Sequence, residues 1–134
     1  MTDNAFKLGK RILVVDDEPH IVRTLEDLLL AEGYVVNKAA DGKRALQEAR
    51  TFLPDLIILD VMMPKMNGFE VLEHLKKDQR TMDIPVIMLT VKSTTQDIEQ
   101  GIKLYAEKYI TKPFNPDQLL VEIERSLALR YRST

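Results

Sequence analysis

Five polar residues stand where apolar runs break off, and together they could do one kind of chemistry. Asp16 and Asp17 follow Ile12-Leu13-Val14-Val15, and Asp60 follows Leu56-Ile57-Ile58-Leu59. Thr90 follows Pro85-Val86-Ile87-Met88-Leu89, and Lys112 follows Lys108-Tyr109-Ile110-Thr111. Short unbroken apolar runs read as strands buried on both faces, as in a parallel sheet covered by helices. In such a sheet the carboxyl ends of the strands share one edge, and ligands bind there. Three carboxylates would then meet one hydroxyl and one ammonium. Acids brought this close repel one another unless a proton or a cation intervenes. Every candidate ligand atom is an oxygen and the chain has no cysteine, so a hard cation such as Mg2+ suits the set better than Zn2+. Phosphate oxygens are the usual co-ligands of such an ion. Asp60 is then the natural nucleophile toward a phosphoryl group, with Lys112 and Thr90 contacting the transferring oxygens. His20 is near in sequence but falls inside the first helix, where it reads as a surface residue.

The elements that must position these residues follow from spacing. Pro19 suits a first helical turn and the acids before it suit a helix N-terminus. Ile21, Leu25, Leu28 and Leu29 repeat at helical spacing until Gly33. Tyr34 to Ala39 is a shorter strand, and Asp41-Gly42 a turn. Ala45, Leu46, Ala49, Phe52 and Leu53 stripe a second helix. Asn67-Gly68 signals a turn, after which Val71, Leu72 and Leu75 mark a third helix. Ile98 and Ile102 mark a weaker fourth helix, and Leu119, Leu120, Ile123 and Leu127 a fifth. Strand and helix alternate five times over short connections, which predicts an α/β fold: a five-stranded parallel sheet with five helices on its two faces.

Length and composition bound the rest. The 134 residues suit one domain, expected over 10–130, with 1–9 a loose leader and 131–134 a C-terminal tail. A net charge of −2 gives no electrostatic reason to bind nucleic acid or an anionic membrane directly. No window approaches a membrane span or a signal peptide. The lack of cysteine fits a reducing, cytoplasmic setting.

With these residues in view, the chain resembles the receiver domain of two-component response regulators. The resemblance rests on Val14-Val15-Asp16-Asp17-Glu18, Leu59-Asp60-Val61-Met62-Met63-Pro64 with Asn67-Gly68, Leu89-Thr90, and Tyr109-Ile110-Thr111-Lys112-Pro113-Phe114. It implies a flavodoxin-like doubly wound sheet in the order 2-1-3-4-5. It implies that Asp60 accepts a phosphoryl group from a sensor histidine kinase or phosphotransfer protein. Asp17, Asp60 and the backbone carbonyl of Met62 would hold Mg2+, with Asp16 acting through water. Lys112 would pair with the phosphoryl group and Thr90 would bond to it. Tyr109 would follow by turning inward, and the Lys112-Pro113 bond would be cis. The implied output face is the fourth helix, fifth strand and fifth helix.

Three positions depart from the family pattern. Val91 stands where a small residue is usual, and Tyr105 where the fourth helix commonly ends in Gly. Glu122 stands where the winged-helix transcription-factor branch carries a basic residue. An acid there would weaken that branch's symmetric interface, so the expected state is mainly monomeric, signalling to a separate, unknown protein target. The implied activity is that of a phosphoacceptor regulator and not of an enzyme. Two alternatives stand beside it. A Mg2+-dependent phosphatase with an aspartyl nucleophile would place a second acid at position 62, where this chain has Met62. A docking module independent of phosphorylation would have no need of all five site residues.

Overall fold

Five strands and the helices between them form as the apolar runs require. The computed structural model describes residues 8–91 and 108–133. The strands are β1 (Arg11–Val15), β2 (Val35–Ala39), β3 (Leu56–Asp60), β4 (Val86–Thr90) and β5 (Lys108–Thr111). The helices are α1 (Pro19–Ala31), α2 (Gly42–Phe52), α3 (Gly68–Lys77) and α4 (Pro116–Ser133). All strand pairs are parallel and the sheet order is β2-β1-β3-β4-β5, as the resemblance implied. The helix expected on Ile98 and Ile102 lies outside the described residues, as does Tyr105. The helix expected as the fifth is therefore α4 here, and it takes in residues 131–133.

Alternation along the strands divides the core in two. Leu13, Val15, Ile57, Leu59, Val86 and Met88 face one way, onto Ala45 and Ala49 of α2 and Val71, Leu72 and Leu75 of α3. Ile12, Val14, Ile58, Ile87 and Leu89 face the other way, onto Leu25 and Leu29 of α1 and Leu119, Ile123 and Leu127 of α4. Every residue of β3 and β4 is buried, which is why their sequences run apolar without alternation. Burial of this kind contributes about 25 cal/mol for each Å² of apolar surface removed from water.

The connections near the site are short and capped. Asp41, expected in a turn, is the N-cap of α2 and accepts from the Arg44 N–H at 2.7 Å. Asn67, also expected in a turn, caps α3 in a reciprocal pair with Glu70. Both turn signals were thus helix starts, because Asn and Asp serve either role and only the following helix decides. Gly68 begins α3 directly against β3. A methyl group there would collide with the carbonyl oxygen of Asp60 and come within 2.8 Å of the Val61 Cα. Gly68 N–H donates to the Val61 carbonyl at 2.9 Å, tying the helix start to the strand end.

Candidate functional site

β1, β3, β4 and β5 deliver their last residues to one edge. Asp16 follows β1, with its N–H bonded to the Ala39 carbonyl at 3.2 Å. Asp60 is the last residue of β3 and Thr90 the last of β4. Lys112 follows β5, with its N–H on the Thr90 carbonyl at 2.7 Å. Asp16, Asp60, Thr90 and Lys112 are all buried, whereas Asp17 is exposed. Sheet pairing is what fixes the residues in place: Asp60 and Thr90 end neighbouring strands, and Asp16 and Lys112 directly follow the strands on either side.

Lys112 is the electrostatic centre. Its Nζ lies 2.8 Å from Asp16 Oδ2, 3.3 Å from Asp60 Oδ1 and 3.6 Å from Glu18 Oε1. Burial alone would lower its pKa; the hydrogen bond and charge of Asp16, and the charge of Asp60, outweigh burial and raise it. Asp60 is pushed the other way from most paired acids. Burial first, and then the charge of Asp16, lift its carboxyl from the ordinary 3.8 to about 6. Lys112 and the Met62 N–H, 3.3 Å from Asp60 Oδ1, hold the rise in check.

Asp16, Asp17 and Asp60 each offer one carboxylate oxygen within 4.8 Å of the others. That span is close to what one six-coordinate Mg2+ covers, with metal–oxygen distances of about 2.1 Å. The donor set is all oxygen, and among the described residues one ammonium does not balance the acids around it. The residues therefore fit a hard divalent cation. Met62 lies in the loop after Asp60 with its side chain 67% exposed. Val91, beside Thr90, is 59% exposed, so its extra bulk points to solvent and does not fill the crevice.

Tyr109 lies in β5 with its ring half-buried against the α2–α3 side of the core, its centroid 6.5 Å from that of Phe69. The Lys112-Pro113 peptide is cis. His20 is exposed on α1, 3.6 Å from Glu18 Oε2. The structure therefore brings together Asp16, Asp17, Asp60 and Lys112, with Thr90 on the same edge. The contact that sequence reasoning missed is Glu18 to Lys112. Its only signal was a third acid directly after Asp16-Asp17, which reads equally well as a helix N-terminus.

Comparison with known proteins places this geometry. Residues 12–124 match the response regulator receiver domain. The chain is 44% identical over 120 residues to the alkaline phosphatase synthesis transcriptional regulatory protein PhoP of Bacillus subtilis, a match that covers 90% of this chain and 49% of that protein. The chain thus spans about half the length of the curated relatives it matches. A CheY-like receiver domain protein from Methanospirillum hungatei superposes with a TM-score of 0.89 at 31% identity, over 94% of this chain and 99% of that one. The receiver domain of the sensor histidine kinase PA1611 from Pseudomonas aeruginosa, solved with magnesium coordinated in its active site cleft, gives 0.83 at 28% identity, over 90% and 98%. No helix among the described residues is long and apolar enough to cross a membrane.

Proposed function

The chain belongs to the response regulator receiver domain family, and from that premise we propose that it is a switch phosphorylated on Asp60. The donor is a phosphohistidine on a sensor histidine kinase or phosphotransfer protein. The observation that carries this reading is Asp60 itself: buried at the end of β3, within 3.3 Å of the Lys112 ammonium, and inside a three-acid cluster. An Asp60 oxygen attacks phosphorus, the P–N bond breaks, and its electron pair returns to the imidazole nitrogen. The product is an acyl phosphate. Lys112 then exchanges part of its contact with Asp16 and Asp60 for the phosphoryl oxygens. The Thr90 hydroxyl donates to the same group, and Tyr109 follows by turning inward.

Asp16, Asp17, Asp60 and the backbone carbonyl of Met62 would hold Mg2+. When bound, it neutralises the acids and the oxygens of the transferring group. The Pseudomonas receiver solved with magnesium supports this choice of ion. The protein acts as a phosphoacceptor regulator that assists its own phosphorylation and dephosphorylation and not as a phosphatase of external substrates, since Met62 offers no second acid. Its setting is cytoplasmic.

Output passes through the face of β5 and α4 to a separate protein and not directly to nucleic acid. Glu122 supports a mainly monomeric state. Its carboxylate is held within the chain, 3.3 Å from the Arg125 guanidinium and 3.9 Å from Lys108 Nζ. A second copy would have to break that arrangement to use it.

The test is intact-mass measurement after incubation with acetyl phosphate and Mg2+. One phosphate adduct is expected, absent in Asp60→Asn and suppressed by excess EDTA. An adduct that survives either change contradicts the reading.

A further inference from the structure

Glu18 is an acid out of its ordinary employment. It occupies the N-cap of α1, where side chains usually accept from the first free N–H groups. Its side chain makes no such bond. It turns to Lys112 instead, at 3.6 Å. Of the three acids among the described residues that touch Lys112, Asp16 and Asp60 have side chains 1% exposed, whereas Glu18 is 45% exposed. Lys112 itself is almost fully enclosed. Among the described acids at the ammonium Glu18 is therefore the one open to solvent, and its charge stands at the rim of the crevice. Its backbone N–H donates to Asp16 Oδ1 at 3.0 Å, which fixes that rim to the acid cluster. The other carboxylate oxygen faces exposed His20 at 3.6 Å.

We infer that Glu18 is a specificity-determining residue that selects against highly charged small phosphodonors. The inference rests on the proposed role of Asp60. A small anion approaching Lys112 on this side meets the Glu18 carboxylate 3.6 Å from the ammonium, and it has no binding energy elsewhere with which to offset the repulsion. A protein donor docks over a wide surface and gains that energy from its other contacts. The rim charge thus slows the reaction of free acyl phosphates while leaving a docked phosphohistidine able to react. At about 6 Å in water-like screening, one unit charge changes an encounter by roughly threefold per unit of donor charge. The effect belongs to exposed charges, so salt removes it.

The test compares phosphorylation rates from acetyl phosphate, a dianion, with those from phosphoramidate, which carries one net negative charge fewer. Mg2+ is held at saturation for each variant, as established by calorimetry. Glu18→Gln, which keeps the shape and loses the charge, should raise the ratio of the acetyl phosphate rate to the phosphoramidate rate about threefold. Glu18→Asp, which keeps the charge, should leave the ratio near that of the wild type. The gain in Glu18→Gln should vanish at roughly 0.5 M salt, where charges this far apart are largely screened. A ratio unmoved by Glu18→Gln, moved equally by Glu18→Asp, or moved but insensitive to salt would overturn the inference and leave the Asp60 reading standing. No adduct from either donor on the wild-type protein would overturn both.

Discussion

Asp60 sits between opposing influences, and their balance can be measured. Burial and the Asp16 charge raise its carboxyl to about 6, against 3.8 in ordinary surroundings. The folded protein thus holds this proton more tightly than the unfolded chain does. The stability that Asp60 contributes is fully present below about 3.8 and is lost as pH rises through about 6. In EDTA, Asp60→Asn should therefore gain on the wild type as pH rises from 4 to 8, by on the order of 2 kcal/mol. Urea denaturation at the two pH values checks this. A difference that does not change with pH would mean that the carboxylate is not under electrostatic load. Added Mg2+ should reverse the trend, because a cation favours the ionised acid. Asp16, Asp17, Asp60 and Thr90 were legible in the sequence because each stands at the end of an apolar run, and Lys112 because it follows a short strand pattern and precedes Pro113. The reach of Glu18 to Lys112 was not, since it joins neighbours in space that are far apart along the chain. Nor could the sequence say that Val91 would point to solvent.

The strand ends position the site only if α3 can start where it does. Gly68 lets the first turn of that helix rest on the Asp60–Val61 backbone. Gly68→Ala should cost roughly 1–3 kcal/mol and should weaken Mg2+ binding as well, because Asp60 moves when the helix is pushed away. Gly42 makes the control. A methyl group there meets the Met66 and Val71 side chains at 2.9 Å. Flexible Met66 can yield, and Ala is the better helix former. Gly42→Ala should lose less stability than Gly68→Ala and leave Mg2+ affinity unchanged. Denaturation together with calorimetric titration separates the two. Equal losses in both variants would show that the approach of α3 to Asp60 is not special. The strands themselves were readable because β3 and β4 are buried on both faces. The helices after Asp41 and Asn67 were readable too, but not that these residues would cap them, because Asp and Asn carry the same local chemistry in a turn and at an N-cap. The packing of Gly68 on β3 is a tertiary fact with no local signature.

Across the whole molecule, two cores pack on opposite faces of one sheet, and Tyr109 of β5 and Glu122 of α4 lie on the face proposed for output. With Glu122 held by Arg125 and Lys108, the activated protein should sediment as one chain in beryllofluoride and Mg2+. A tight dimer that substitutions in α4 dissociate would contradict the proposed monomeric output while leaving the chemistry at Asp60 untouched. Trapping the modified residue identifies the phosphoacceptor. Borohydride reduces an aspartyl phosphate to homoserine. After phosphorylation in Mg2+, reduction and proteolysis, peptide sequencing by mass spectrometry should find homoserine at position 60 and at no other aspartate. Homoserine at position 16 or 17, or none in a sample that carries the phosphate adduct, would contradict the assignment of Asp60 as the phosphoacceptor.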